Sequence, residues 1–454
     1  MAIPAIVDSL VWIRKEDLGP INEYLLRNKL TFVPKKTGPD DPKPIRLFAT
    51  TPEMIGVPRF FWWSQKRSIF PQLEFTEDVS RISLGKEIGE TETAFTLRDD
   101  QEEFVSKSLE YFKRQIGGIV CAFTGFGKSL SGLSVAKQLG RKTLVLVHRK
   151  RLAVQWQESC NRFFPEWKTG IVGGGKKQWE DCDVVFAVVQ TLAHKKSAPM
   201  PRHFWSDFGT VIVDEVHVFG APYFASVTPR FSCRYLLGMS GTVRRLDGME
   251  DVFRYIIGNE FYRASEKNRL FATIWIRRTP YEPKHCLDHL EKATLLNIIA
   301  KSEKRNRFIA KDIISALKKG RNPLVMSDRI EMLQLIQKFV EEFAKKLDIE
   351  TSHGFYIGGK TDAELEVASK AGVVYSTYQL AKEGIDIPRL DILFLASPIG
   401  DPEQAIGRVC RRVEGKKLPF VVDYVDESVR KFEDSYYKRL RLYNSIGFKV
   451  IDDG

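Results

Sequence analysis

The residues best suited to chemistry on a phosphate lie at 123–129, which read Phe-Thr-Gly-Phe-Gly-Lys-Ser. Apolar residues 119–122 before them read as a buried strand. Leu130, Leu133, Ala136 and Leu139 recur at helical spacing after them, until Gly140 supplies a stop. A glycine-rich turn from strand to helix aims its amides at an anion, here those of residues 125–129. Lys128 adds a positive charge for β- and γ-phosphates, and the Ser129 hydroxyl suits a magnesium ion, so ATP and Mg2+ are the expected cofactors. The strict pattern G-x-x-x-x-G-K-[ST] fails here, because Ala122 holds the first position, and is met instead at 354–361. There Phe355, Tyr356 and Ile357 read as a strand where a phosphate loop must be open, so the first site is favoured.

A second constellation follows in the same pattern. Val211-Ile212-Val213 reads as a strand that delivers Asp214, Glu215 and His217 at its C-terminal end, where open α/β sheets bind ligands. Asp214 suits magnesium held through water, and Glu215 suits orienting and deprotonating an attacking water.

These groups need elements to hold them. Residues 91–265 alternate helices with apolar runs at 143–147, 184–189, 211–213 and 235–239, and a second alternating unit has runs at 324–326, 355–357, 373–375, 392–396 and 420–422. Near-continuous apolar strands separated by helices describe parallel sheets covered on both faces. Residues 266–295 read as a connecting stretch. Residues 1–90 read as a small α+β unit in which 6–13 form a strand and Leu18, Ile21 and Leu25 line a helix. Its cluster Arg59-Phe60-Phe61-Trp62-Trp63, with Lys66 and Arg67, reads first as a core and second as a nucleic-acid surface. The tail at 427–449, with Tyr436, Tyr437, Lys438, Arg439, Arg441 and Tyr443, reads as a basic helix with a solvated face.

The 454 residues carry a formal charge of +12, which favours a polyanionic partner, and nucleic acid is the natural one for a protein that binds ATP. Six scattered cysteines without a C-x-x-C pair speak for a reducing compartment and against zinc. The N-terminus lacks a signal-peptide pattern and no apolar run reaches the ~18 residues of a membrane span, so a cytoplasmic place is expected, in the host if the chain is phage-encoded.

With these motifs in order, the chain over about 95–425 resembles the superfamily 2 helicases and translocases of the DExH type. The resemblance implies two tandem RecA-like domains, at 91–265 and 266–454, behind the 1–90 accessory domain. Leu97-Arg98-Asp99-Asp100-Gln101 resembles the adenine-reading motif, with Gln101 as base reader. Residues 122–129 match the family's own A-x-T-G-x-G-K-S form, which brings Thr124, Gly125 and Gly127 into the nucleotide site and accounts for Ala122. Arg149, Gln190, Thr191 and, in the second domain, Thr377 stand in motifs that track a nucleic-acid strand by its backbone. Ser240-Gly241-Thr242 stands where the family has Ser-Ala-Thr; with His217 it is expected to couple ATP to nucleic acid. Gly384 and Asp386 fall in a motif that touches both. Gln404, Arg408 and Arg411 match Q-x-x-G-R-x-x-R; the two arginines, three apart on a helix, would share a face and reach the γ-phosphate from the second domain.

The Asp-Glu-Val-His sequence and the basic pair Arg244-Arg245 resemble repair helicases of the XPB type and, more closely, phage branch-migration helicases of the UvsW type. The expected activity is therefore ATP-driven remodelling of forks and four-way junctions by a protein that acts as a monomer on single-stranded and branched DNA. An RNA helicase, or an ATP-switched clamp without turnover, is the alternative.

Overall fold

The computed structural model describes all residues except 1, 34–42, 94, 124, 194–198, 219–220, 242–248, 266–269, 284, 288, 383–386, 412 and 453–454. Thr124, Thr242, Arg244, Arg245, Gly384 and Asp386 thus lie outside the described residues. The chain divides into two compact units, Met1–Lys267 and Asn268–Gly454.

The first unit holds two sheets of five or more strands among the described residues. Its larger sheet orders its strands as Lys176–Lys177, Thr169–Gly173, Val184–Val188, Thr143–Val147, Thr210–Asp214, Tyr235–Ser240, Gly117–Cys121 and Glu260–Arg263. Every pairing is parallel except that of the short edge strand Lys176–Lys177. Strands 117–121, 143–147, 184–188 and 210–214 are buried at every position, which explains why they read as unbroken apolar runs. Each fully buried Val or Leu there contributes ~1.5–3 kcal/mol through removal of apolar surface from water.

A smaller sheet precedes it, ordered Ala49–Thr50, Met54–Pro58, Leu10–Arg14, Ile3–Val7 and Phe75–Asp78. The single strand expected at 6–13 is a hairpin, because Asp8 ends it: its Oδ1 accepts from Ser9 Oγ, the Leu10 amide at 2.9 Å and Trp12 Nε1. The helix Lys15–Lys29 breaks at Gly19-Pro20, where Gly19 has φ +73°, and the break shifts its phase. Leu18 and Leu26 face the core, whereas Ile21 and Leu25, expected to line it, are exposed. The aromatic cluster is core, with Phe61 and Trp62 fully buried. Glu77 gathers Trp62 Nε1, Trp63 Nε1 and Lys66 Nζ on its carboxylate.

The second unit is built on seven parallel strands, ordered His353–Tyr356, Val373–Thr377, Pro323–Ser327, Ile392–Leu395, Phe420–Val425, Thr273–Arg278 and Lys449–Asp452. Thr273–Arg278 corrects the connecting stretch expected at 266–295. It is an interior strand whose Ile274 and Ile276 are buried, but Arg277 and Arg278 hide the pattern. The strict phosphate-loop match at 354–361 is indeed a strand followed by a capping box, in which Thr361 and Glu364 cap a helix and Lys360 pairs with Glu364. The C-terminal helix Arg430–Ile446 is not merely a solvated basic face. Arg439 is fully buried and grips Asp423 through two bonds of 2.8 and 2.9 Å, beside Tyr443 Oη, which donates to the same carboxylate. Among the described residues, no helix is long and apolar enough to cross a membrane.

Candidate functional site

Sheet register assembles the nucleotide side of the site. Cys121 pairs with Ser240, and Met239, one residue before Ser240, pairs with Asp214, so three strands end together. The phosphate loop, Ser240-Gly241 and Asp214-Glu215 therefore emerge at one sheet edge.

The loop is fastened at Phe126. Its ring is buried between Phe104 and Phe123, and its carbonyl accepts from Arg98 Nη2 at 2.6 Å and Gln101 Nε2 at 3.0 Å. Gln101 Oε1 in turn accepts from the Arg98 amide. Gly125 and Gly127 have φ of +92° and +93°, a region that side chains strain to reach, and a Cβ on Gly127 would lie 2.5 Å from Gln101 Nε2. Lys128 then starts the helix Lys128–Leu139, which ends at Gly140 in the left-handed region, as its spacing predicts. Glycine-conformation turn, helix N-terminus, Lys128 and Ser129 fit a nucleoside triphosphate.

Glu215 is held at φ +49°, uncommon for a residue with a side chain, immediately after its strand. Lys128 Nζ lies 2.6 Å from Glu215 Oε1, while Oε2 faces His217 Nδ1 and the Gly241 amide, each at 3.4 Å. His217 Nδ1 also meets Ser240 Oγ at 2.7 Å. A chain of polar contacts thus runs Lys128–Glu215–His217–Ser240. Gly241 stands where the resembling motif has alanine. A methyl group on it would meet no atom nearer than 3.9 Å, so alanine would fit and the glycine answers no steric demand.

The two neighbouring carboxylates are driven apart. Burial and the Glu215 charge push Asp214 up, against Lys128 and the Trp156 indole. Burial acts on Glu215 too, but the charges of Lys128 and His217 outweigh it and hold Glu215 well below the usual carboxylate range. Asp214 accepts from Trp156 Nε1 at 2.9 Å, a contact that no motif marks.

The nucleic-acid candidates of this unit stand along the same edge, on the far side of the acidic strand. Arg149 follows Thr143–Val147 as the N-cap of Lys150–Phe163, and Gln190 and Thr191 lie on Val189–Ala193, after the neighbouring strand. Beside them, Gly174 at φ +59° and Gly175 at φ +88° turn the chain into exposed Lys176 and Lys177. Sequence reasoning missed this basic hairpin, although its three successive glycines mark a tight turn.

In the second unit, Thr377 ends Val373–Thr377, and Gln404 and Arg408 lie four apart on one face of Glu403–Val409, which seats Ala405, Ile406 and Val409 in the core. Arg411 does not share that helix. The chain leaves helical geometry at Cys410, with ψ +9°, and the Arg411 carbonyl accepts from Lys416 Nζ at 3.0 Å. Arg411 lines a pocket of about 440 Å3 with Lys416, Lys417 and Glu414, and burial lowers its pKa to about 10, which leaves it charged at neutral pH.

Residues 94–245 match the family described as Type III restriction enzyme, res subunit. The putative ATP-dependent RNA helicase L396 of Acanthamoeba polyphaga mimivirus is 24% identical over 444 residues, which cover 92% of this chain and 80% of that protein. Over most of its length the chain is similar to viral and phage helicases. Among solved structures, the ATP-dependent Type ISP restriction-modification enzyme LlaBIII bound to DNA is 16% identical, and the match covers 80% of this chain and 32% of that one with a TM-score of 0.55, a likeness of fold. T4 UvsW is 20% identical over 100% of this chain and 99% of that one, with a TM-score of 0.42. These similarities support ATP hydrolysis and nucleic-acid binding by the protein.

Proposed function

We propose that this helicase is a DNA translocase that remodels branched substrates, forks and four-way junctions, in replication, recombination or repair. The single observation that carries the reading is the Lys128–Glu215–His217–Ser240 chain at one sheet edge. It lies between the phosphate loop and the Arg149, Gln190 and Thr191 positions. Glu215, kept ionised, orients and deprotonates water. Lys128 and the loop amides hold the β- and γ-phosphates, and Gln101 reads the base. Ser129 and Asp214 would hold Mg2+ largely through water, and a bound ion would supply positive charge beside the transferring phosphoryl group. Gln404, Arg408 and Arg411 stabilise that charge from the second domain. Thr124, Gly384 and Asp386 complete the nucleotide contacts and Thr242 the coupling.

The choice of branched DNA rests on the Asp214-Glu215-Val216-His217 and Arg244-Arg245 resemblances, the formal charge of +12 and the small N-terminal unit ahead of the motor. RNA is the second reading, favoured by the name of the mimiviral relative, since backbone contacts alone do not separate the two. An ATPase and unwinding panel over single-stranded, duplex, forked and four-way DNA, with matched RNA, decides. Highest turnover and strand displacement on forked and four-way DNA is the expected result; equal or greater stimulation by RNA would overturn it.

A further inference from the structure

Trp156 lies in the middle of Lys150–Phe163, a helix with the Arg149 nucleic-acid position at its start. Its ring is 2% exposed. Two parts of the nucleotide machinery touch it. Its Nε1 donates to Asp214 Oδ2 at 2.9 Å, and a methyl built on Gly132, in the helix that follows the phosphate loop, would lie 3.5 Å from its Cη2 and 3.0 Å from Met239 Sδ. The glycine at 132 therefore leaves room for Met239, and the indole packs at ordinary contact distance beside it. An indole N–H can only donate, so it holds an ionised carboxylate and fixes which oxygen is left for other partners.

The geometry assigns to Trp156 the role of a positioning residue: it sets the Asp214 carboxylate for the metal and makes Lys150–Phe163 a rigid link between the nucleic-acid position Arg149 and the metal carboxylate. This rests on the proposed roles of Asp214 and Arg149. A group that orients a metal-binding carboxylate from behind is worth ~10–100-fold in metal affinity, and a rigid helix between two sites can transmit a displacement from one to the other.

The test uses the full-length protein and a fluorescent ADP analogue, titrated at rising Mg2+ and again without metal. Trp156→Phe keeps an aromatic ring in the slot and removes the donor. Replacement of Trp156 by benzothienylalanine keeps the bicyclic shape and also lacks the donor, which guards against loss of packing. Both substitutions should raise the Mg2+ needed for half-maximal binding ~10-fold, leave metal-free binding unchanged and weaken the stimulation of ATP hydrolysis by nucleic acid. A wild-type Mg2+ profile in the benzothienylalanine protein overturns the inference, because packing alone would then suffice. Absence of Mg2+-dependent nucleotide binding in the wild type would overturn the proposed metal site itself, and the two failures are distinct.

Discussion

Lys128 and Glu215 come from strands that are not neighbours, yet their charged groups meet at 2.6 Å across the end of Tyr235–Ser240. The ammonium holds the half-buried Glu215 ionised, so the lysine proposed for the phosphates also maintains the proposed general base.

Loss of either member should stop turnover by a different route. Lys128→Ala removes a phosphate contact and lets the Glu215 pKa rise; Glu215→Gln keeps the shape and removes the base. A positioned general base contributes ~10²–10⁴-fold, and that loss in kcat is expected for Glu215→Gln, with nucleic-acid binding unchanged by fluorescence anisotropy. Undiminished turnover in Glu215→Gln would show that Glu215 is not the base, whereas absence of turnover in the wild type would restore the ATP-switched clamp.

His148 gives a pH dependence with a definite sign. Burial, aided by the Arg149 charge, lowers its pKa from 6.5 to about 4. The folded state therefore binds fewer protons than the unfolded one between those values. The stability His148 contributes is intact above pH 6.5 and is lost as pH falls toward 4, by about 3 kcal/mol at most. Other groups titrate in the same window, so the measurement is a difference. Denaturant unfolding of wild type and His148→Asn at about pH 7 and pH 4.5 should show a steeper loss in the wild type, and parallel losses would contradict the shift.

The buried pair in the second unit should be costly to break from one side. Arg439→Met leaves the Asp423 carboxylate with Tyr443 alone in a dry environment and also strips the Ile399 carbonyl of a 3.0 Å donor. Removing one partner of a buried ion pair costs ~3–5 kcal/mol. A thermal melt of the full chain should show that loss, whereas Lys438→Met, at the neighbouring position, should melt within about a degree of wild type.

Strands buried on both faces were legible because continuous apolar runs leave little else to be, and the turn at 123–129 because an apolar strand precedes its glycines and a helical repeat follows Lys128, whereas at 354–361 the strand runs into the motif itself. Thr273–Arg278 was not, since its two terminal arginines reach ion partners, Asp312 for Arg277 and Glu427 and Asp452 for Arg278, that only the fold brings near. Arg439 was misread for the same reason, its partner being supplied by Phe420–Val425. The Gln404–Arg408 face could be read from spacing, but the helix end before Arg411 could not, because its carbonyl is taken by a lysine five residues on. For Trp156, the spacing of Ala153, Trp156 and Cys160 marks a core face, and nothing in spacing reveals a bond to Asp214.

The N-terminal sheet should prove inseparable from the first motor domain. Arg59, 3% exposed, donates to the Cys233 carbonyl at 2.9 Å, Phe61 meets the Tyr255 ring edge-on at 4.9 Å, and a Cβ on Gly117 would lie 2.7 Å from Phe60 Cζ. Phe60 thus covers the start of the strand that carries the phosphate loop. Truncation of residues 1–90 would uncover this apolar surface and yield insoluble protein, so a role of this unit in nucleic-acid binding is to be tested by point substitutions. Phe61→Ala should cost ~3–5 kcal/mol, as large-to-small changes in cores do. Ile21→Ser, on the face the Gly19 break turns outward, should stay within ~0.5 kcal/mol of wild type. Chemical denaturation followed by far-ultraviolet circular dichroism measures both. A soluble 91–454 fragment with the wild-type melting temperature would show instead that the contacts at Cys233, Tyr255 and Gly117 are dispensable.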